Sequence, residues 1–231
     1  AERILANSDI DYAILKNSVN SGSVFRQWQK GVENASGTHV WIAEADDACE
    51  PSMISELLLA YSTPGVVLSY CESTQWNEAG TVMADNYLDY VADVDSRRWL
   101  TPFVMDGQLA ITEYLSVKNT IPNVSAVLFN AKSLKQVLAS TIDDICRYRV
   151  AGDWRTYIDV LRNGRLAFTS KPLNKHRRHS SGVTLKAVDQ AQLDEIKSMQ
   201  SLVQSWYVVP ECRRRAADGY LVRLAKEHVL H

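Results

Sequence analysis

The sequence predicts an α/β fold, a mixed sheet flanked by helices and followed by a helical tail. Short apolar runs of strand length alternate with stretches of helical periodicity from Tyr12 to Tyr70, which is the pattern of an α/β domain. After Thr184 the strand signal ceases while helical stripes continue. With 231 residues, 46% of them hydrophobic, the chain can bury one large core.

Each element has its own warrant. Ala1-Glu2-Arg3-Ile4-Leu5 has the look of a helix end, and Tyr12-Ala13-Ile14-Leu15 is a short apolar run that predicts a strand. Asn17 to Gly22 is rich in turn residues; Ser23 can then cap a helix in which Phe25, Trp28 and Val32 recur at helical spacing as far as Gly37. His39-Val40-Trp41-Ile42-Ala43 reads as a second strand, apolar enough to be covered on both faces. Pro51 and Ser52 open a helix with Met53, Ile54, Leu57, Leu58 and Tyr61 on its apolar side, and Gly65 to Tyr70 forms a third strand. Glu72 to Gly107 is irregular and is expected to wander over one face of the sheet. A strand at Val124 to Phe129, helices at Ala131 to Ser140 and Trp154 to Arg162, and a strand at Leu166 to Thr169 complete the domain. In the tail, Leu193, Ile196, Met199, Val203 and Trp206 make one stripe, and Leu221, Leu224, Ala225 and His228 another. The expected division is residues 1–185 for the α/β domain and 186–231 for a helical C-terminal extension.

A formal net charge of -2 gives no global reason to expect nucleic acid or an anionic membrane as partner. Cys49, Cys71, Cys146 and Cys212 show neither a CxxC pair nor zinc spacing, so they read as free thiols of a reducing compartment. No apolar run approaches the roughly 20 residues of a membrane span, and the chain reads as cytoplasmic in character, at most peripheral to a membrane.

Three segments carry chemistry. Glu44-Ala45-Asp46-Asp47 stands at the carboxyl end of a predicted strand, the edge at which open α/β sheets bind ligands. Its oxygens suit a hard divalent cation that would neutralise a diphosphate, although Asp46 and Asp47 could equally cap the helix near Pro51. Asp153 is either the cap of its helix or a general base beside Trp154, whose ring would stack on a sugar. Lys175-His176-Arg177-Arg178-His179 is either a solvated basic loop or a clamp on phosphate oxygens, with His179 a metal ligand.

The order of these segments resembles glycosyltransferase family 2. Asn20-Ser21-Gly22-Ser23, Gln27-Trp28, Gly31, Ala35-Ser36-Gly37 and Trp41 to Asp47 look like the stretch leading into that family's DxD-type metal motif. Asn119 to Ala126, Ala151-Gly152-Asp153-Trp154 and Leu173 to His179 are similar to later blocks of members that build bacterial surface polysaccharides. The resemblance spans about residues 17 to 184 and implies a GT-A-like, Rossmann-like sheet. It further implies an inverting transfer from a nucleoside-diphosphate sugar to a glycan or lipid-linked acceptor, dependent on Mn2+ or Mg2+. Asp153 would be the catalytic base. Glu44, Asp46, Asp47 and His179 would form the metal site, and Asn20, Gly22, Trp154, Arg177 and Arg178 would bind substrate. Glu44 departs from the Asp that many relatives carry there. The family's opening strand and aspartate-rich loop have no counterpart in this sequence and would lie upstream of Ala1, leaving a sheet edge open to self-association. The alternative expectation is a non-catalytic glycan-binding or assembly module on the same fold, with Trp28, Trp41, Trp76, Trp99 and Trp154 as stacking surface.

Overall fold

The computed structural model describes residues 11–179 and 189–229. The expected helix end at Ala1 to Leu5 and the expected boundary at 185/186 lie outside the described residues. The frame is a seven-stranded sheet of mixed direction. In chain order the strands are β1 (His39–Trp41), β2 (Ala48–Cys49), β3 (Val66–Trp76), β4 (Val82–Ala84), β5 (Phe103–Asp106), β6 (Val127–Asn130) and β7 (Arg165–Arg177). The main path runs β1-β6-β3-β7-β2, with β4 attached to β3 and β5 to β7. The parallel pair β3 and β7 is its spine, and every other pairing is antiparallel.

Helices cover both faces. They are α1 (Val24–Asn34), α2 (Met53–Leu59), α3 (Leu88–Val91), α4 (Gly107–Ala110), α5 (Ala131–Ile145) and α6 (Gly152–Leu161). A π-helical turn, Ile111–Leu115, continues α4. Side chains alternate between the faces of a strand. Leu68 and Tyr70 of β3, with Val127 and Phe129 of β6, therefore join the large core beneath α1, α5 and α6. Cys71 of β3 and Leu128 of β6 instead meet Met53 and Leu57 of α2 on the opposite face. Burial on both sides explains why Val66 to Ser73 is buried without a break.

Local signals set the boundaries. Ser23 caps α1 by accepting from the Phe25 amide at 3.3 Å, and Asn130 caps α5 by accepting from the Ser133 amide at 3.1 Å. Strand β7 shifts register against β3 between Cys71, opposite Thr169, and Glu72, opposite Pro172. Proline cannot donate to the ladder, so the strand bulges there and resumes from Leu173 to Arg177. That second half, which also pairs with β2, carries the basic cluster toward the acidic segment.

Several expectations change. Tyr12 to Leu15 is not a strand: residues 11–17 are exposed and pair with none of the described strands, because an apolar run becomes a strand only when a sheet edge accepts it. His39 to Ala43 is not a doubly buried strand either. Strand β1 pairs only with β6, and Trp41 is 37% exposed. Residues 72–107 hold the end of β3, β4, α3 and β5 where an irregular excursion was expected, and Val124–Ala126 is a 3-10 turn that precedes β6. Helix α5 runs on to Ile145.

The tail forms α7 (Gln190–Trp206) and α8 (Glu211–Val229). Ile196, Met199 and Val203 of α7 enter the same core as the α/β elements. No described helix is long and apolar enough to cross a membrane. All four cysteines are free.

Candidate active site

The acidic segment is braced from two sides. At the end of β1, the Trp41 indole donates to the Ser125 carbonyl at 2.8 Å and the Glu44 amide donates to Ser125 Oγ at 3.0 Å. On the β7 side, Arg177 donates its amide to Asp47 Oδ1 at 2.8 Å and its Nε to the Asp46 carbonyl at 2.9 Å. Asp47 Oδ2 accepts from Asn123 Nδ2 at 2.8 Å, and Asn123 Oδ1 in turn accepts from Asn174 Nδ2 at 3.1 Å. Asn123 and Asn174 are 3% and 0% exposed, so this is a buried polar floor under the carboxylates.

The helix-cap explanation of Asp46 and Asp47 is thereby overturned. Helix α2 begins after Ser52, with no side-chain cap bond, and Asp47 spends its oxygens on Arg177 and Asn123. Asp46 faces His179, whose Nε2 lies 2.8 Å from its Oδ2, while His179 Nδ1 lies 3.4 Å from Glu78 Oε1. Nor is the basic cluster a solvated loop: residues 175–179 are half-buried, and Lys175, His176 and Arg177 belong to β7. Arg178 Nη1 donates to the Tyr87 hydroxyl at 3.4 Å, and that hydroxyl lies 2.5 Å from His176 Nδ1. Burial lowers the His176 pKa to about 4, which keeps its imidazole neutral near pH 7.

Asp153 sits in the first turn of α6 and is not its N-cap, which is Ala151. Its Oδ2 accepts from Asn119 Nδ2 at 3.1 Å and its Oδ1 from the Trp154 amide at 2.6 Å. Burial pushes this carboxyl up to about 7 against the pull of those two hydrogen bonds, and the charge of Glu195 pushes the same way. Glu44 is also pushed up to about 7, first by loss of hydration around its carboxyl and then by Asp47, Asp46 and Asp153. Glu44 as a residue is exposed, and the other three carboxylates act on it through their charge. The acidic segment and Asp153, more than 100 residues apart in the chain, thus share one electrostatic neighbourhood.

Three of the expected substrate-binding residues do not join this cluster. Trp154 is 2% exposed and donates its indole N–H to the Leu115 carbonyl at 3.0 Å, so it is a core residue and cannot stack on a sugar. Asn20 and Gly22 close an exposed turn, Asn20 Oδ1 accepting from the Gly22 amide at 2.9 Å. They line a hollow that shares only Val24 and Gln27 with the groove reaching Glu44 and Asp46. That groove, of about 570 Å3, runs between α1 and β1 past Trp28, Val32, Val40 and Trp41. Asn119, Asn123, Ser125 and Asn174 are site residues to which sequence reasoning assigned no role, although all lie in the segments that carry the family resemblance. Tyr87 and Glu78 lay outside those segments, in a stretch without a recognisable pattern.

The residues fit a divalent cation in charge and donor type. Glu44, Asp46 and Asp47 gather oxygen donors in one segment, and Asp46 and His179 already meet as an oxygen and a nitrogen donor. Among the described residues no group of three or more His, Cys, Asp or Glu stands close enough to hold a metal as arranged. Asp47, with both oxygens engaged, is the weakest of the expected ligands. No protein-family model matches the chain, and no curated protein matches it.

Proposed function

We propose that this chain carries the acceptor and cation side of an inverting glycosyltransferase of the GT-A type. It would transfer a sugar from a nucleoside-diphosphate donor to a hydroxyl of a glycan or lipid-linked acceptor. The observation that carries this reading is the electrostatic coupling, through Glu44, of two unlike groups. One is an aspartate whose acidity has been weakened to about 7; the other is an acidic segment faced by His179 and Arg177. A base of that strength is half deprotonated near neutral pH and can accept the proton of an acceptor hydroxyl as its oxygen attacks the anomeric carbon. Asn119 fixes the Asp153 oxygen that would receive this proton. The bond between the anomeric carbon and the diphosphate oxygen breaks on the opposite face, which inverts the configuration.

Asp46 and His179, with Glu44 beside them, would hold the cation. When bound it would neutralise the diphosphate and assist its departure. Arg178, half-buried beside Tyr87, is the cation of this chain best placed to add a phosphate contact. The glycan-binding module has less support, since Trp28, Trp99 and Trp154 are buried at 7%, 4% and 2% exposure and offer no stacking surface.

The test is release of nucleoside diphosphate from a panel of nucleoside-diphosphate sugars with Mn2+. Asp153→Asn is expected to abolish release while leaving calorimetric binding of Mn2+ and nucleoside diphosphate intact, and Asp46→Ala is expected to abolish that binding. Unaltered turnover in Asp153→Asn would sink the reading.

A further inference from the structure

Both routes that hold the Asp153 carboxyl lead into the C-terminal helices. The first runs through the chain entering α6. The backbone amides of Arg149, Val150 and Ala151 converge on the Glu195 carboxylate of α7, the first on Oε1 at 2.7 Å and the others on Oε2 at 2.8 and 3.0 Å. Three successive amides aimed at one anion form a concave nest, and here a side chain from a distant element fills it. Arg149 Nη2 also meets Asp189 Oδ2, at the start of α7, at 2.6 Å. At the far end of α7, Trp206 lies under the guanidinium groups of Arg155 and Arg162, 5.1 and 4.2 Å from its ring centroid. Helix α6 is therefore gripped near both ends by α7.

The second route runs through Asn119, which donates to Asp153. Of the two residues before it, Val117 is tied to the tail directly, and Lys118 is held by Tyr90 and Asp93 with a tail ring beside it. Buried Gln200 of α7 donates to the Val117 carbonyl at 2.8 Å and to the Ala217 carbonyl of α8 at 3.2 Å. The Lys118 ammonium, 3% exposed as a residue, donates to the Tyr90 carbonyl at 2.6 Å and lies 4.7 Å from the ring centroid of Tyr220 in α8.

We propose that α7 and α8 are the positioning scaffold of Asp153, with Glu195 as its positioning residue, so that the helical tail is a working part of the active site. The catalytic consequence rests on Asp153 being the base proposed above; the structural claim does not. Helix α6 has no N-cap side chain of its own. Glu195 instead holds the chain that enters the helix, Arg149 to Ala151, and through it fixes where the first turn, and Asp153 within it, stands. A shift on the order of 1 Å in a base can cost about 100-fold in rate.

The experiment uses the full chain with Glu195→Ala and Glu195→Gln, read by amide hydrogen exchange and by nucleoside-diphosphate release from the same panel. Alanine removes every acceptor, so the amides of Arg149, Val150 and Ala151 are expected to lose protection. Glutamine can keep its carbonyl on Val150 and Ala151 but turns an NH2 toward Arg149, so only the Arg149 amide is expected to lose it. In the activity arm, Glu195→Ala is expected to lower kcat by about 100-fold with KM little changed, and Glu195→Gln to recover most of that loss. If Glu195→Ala does not yield folded protein, the graded exchange pattern of Glu195→Gln decides the claim. Unchanged protection in both variants overturns it, as does full kcat in Glu195→Ala alongside an inactive Asp153→Asn. Full activity in Asp153→Asn instead removes the proposed base, while the exchange pattern still reports on the scaffold.

Discussion

Asn123→Ala is expected to destabilise the protein more than any single exposed substitution, and the amount follows from what it orphans. The amide of Asn123 donates to Asp47 Oδ2 at 2.8 Å and accepts from Asn174 Nδ2 at 3.1 Å, with both asparagines buried. A hydrogen bond to a charged group is worth about 1.5–3 kcal/mol and a neutral one about 0.5–1.5 kcal/mol. Asn174 Nδ2 retains Ser73 Oγ at 3.0 Å, which softens the second loss. The expected cost is therefore about 2–4 kcal/mol, and for a chain of this size each kcal/mol lowers Tm by roughly 2–4 °C. Urea denaturation of the two proteins side by side measures it. Asn123→Asp is the sharper comparison, because it sets another carboxylate against Glu44 and Asp47 and should cost at least as much. A loss under about 0.5 kcal/mol in Asn123→Ala would refute the view that this amide supports the acidic segment.

Gly152→Ala is expected to destabilise by about 1–3 kcal/mol despite the better helix propensity of alanine. Its Cβ would stand 2.2 Å from the buried ring of Phe25, and thermal unfolding of Gly152→Ala with and without Phe25→Leu would show recovery in the double variant if that clash is the cause. The raised pKa of Asp153 sets a pH dependence. Its carboxyl titrates near 7 when folded and at about 3.9 when unfolded, so the folded state binds the proton more tightly and stability falls as pH rises between those values. Asp153→Asn is expected to match wild type below pH 4 and to exceed it above pH 7; urea midpoints at pH 4, 6 and 8 test the sign.

The elements that the sequence made legible are those whose signal is local. Ser23 before the Phe25, Trp28, Val32 stripe is a cap and an apolar face within eleven residues of helix, and both are realised. The spacing even held the correction for Trp154: it stands three residues before Tyr157, on the same face of α6, and a residue on that stripe belongs to the core. Strand β7 was cut short at Thr169 because Ser170, Lys171 and Pro172 interrupt its pattern. The strand survives them only because β3 accepts a bulge at that point, a fact about the partner. Tyr12 to Leu15 fails for the converse reason, having strand composition and no described strand beside it. Asn123 and Asn174 leave no periodic trace at all. Their meaning appears only when β7 brings position 174 beside position 123, 51 residues away.

That pairing bears on why the acidic segment is built as it is. Loss of hydration first, and then the charges of Asp47, Asp46 and Asp153, shift Glu44 toward neutrality, and a fold selected only for stability would replace some of these carboxylates. Instead the chain spends the Asn123 side-chain amide and the Arg177 backbone amide on Asp47, the Arg177 guanidinium on the Asp46 carbonyl, and an asparagine on Asp153. Each support fixes its group in place, but they differ in charge: Asp46 meets His179 and the Arg177 guanidinium lies at its carbonyl, whereas Asp153 meets amides. Structural ion pairs would place a guanidinium or ammonium against each carboxylate, as Arg155 is placed against buried Asp159 at 2.7 Å in the neighbouring turn of α6. The contrast within one helix, Asp159 neutralised by its own arginine and Asp153 left with amides alone, is the pattern expected of a group kept available for a proton.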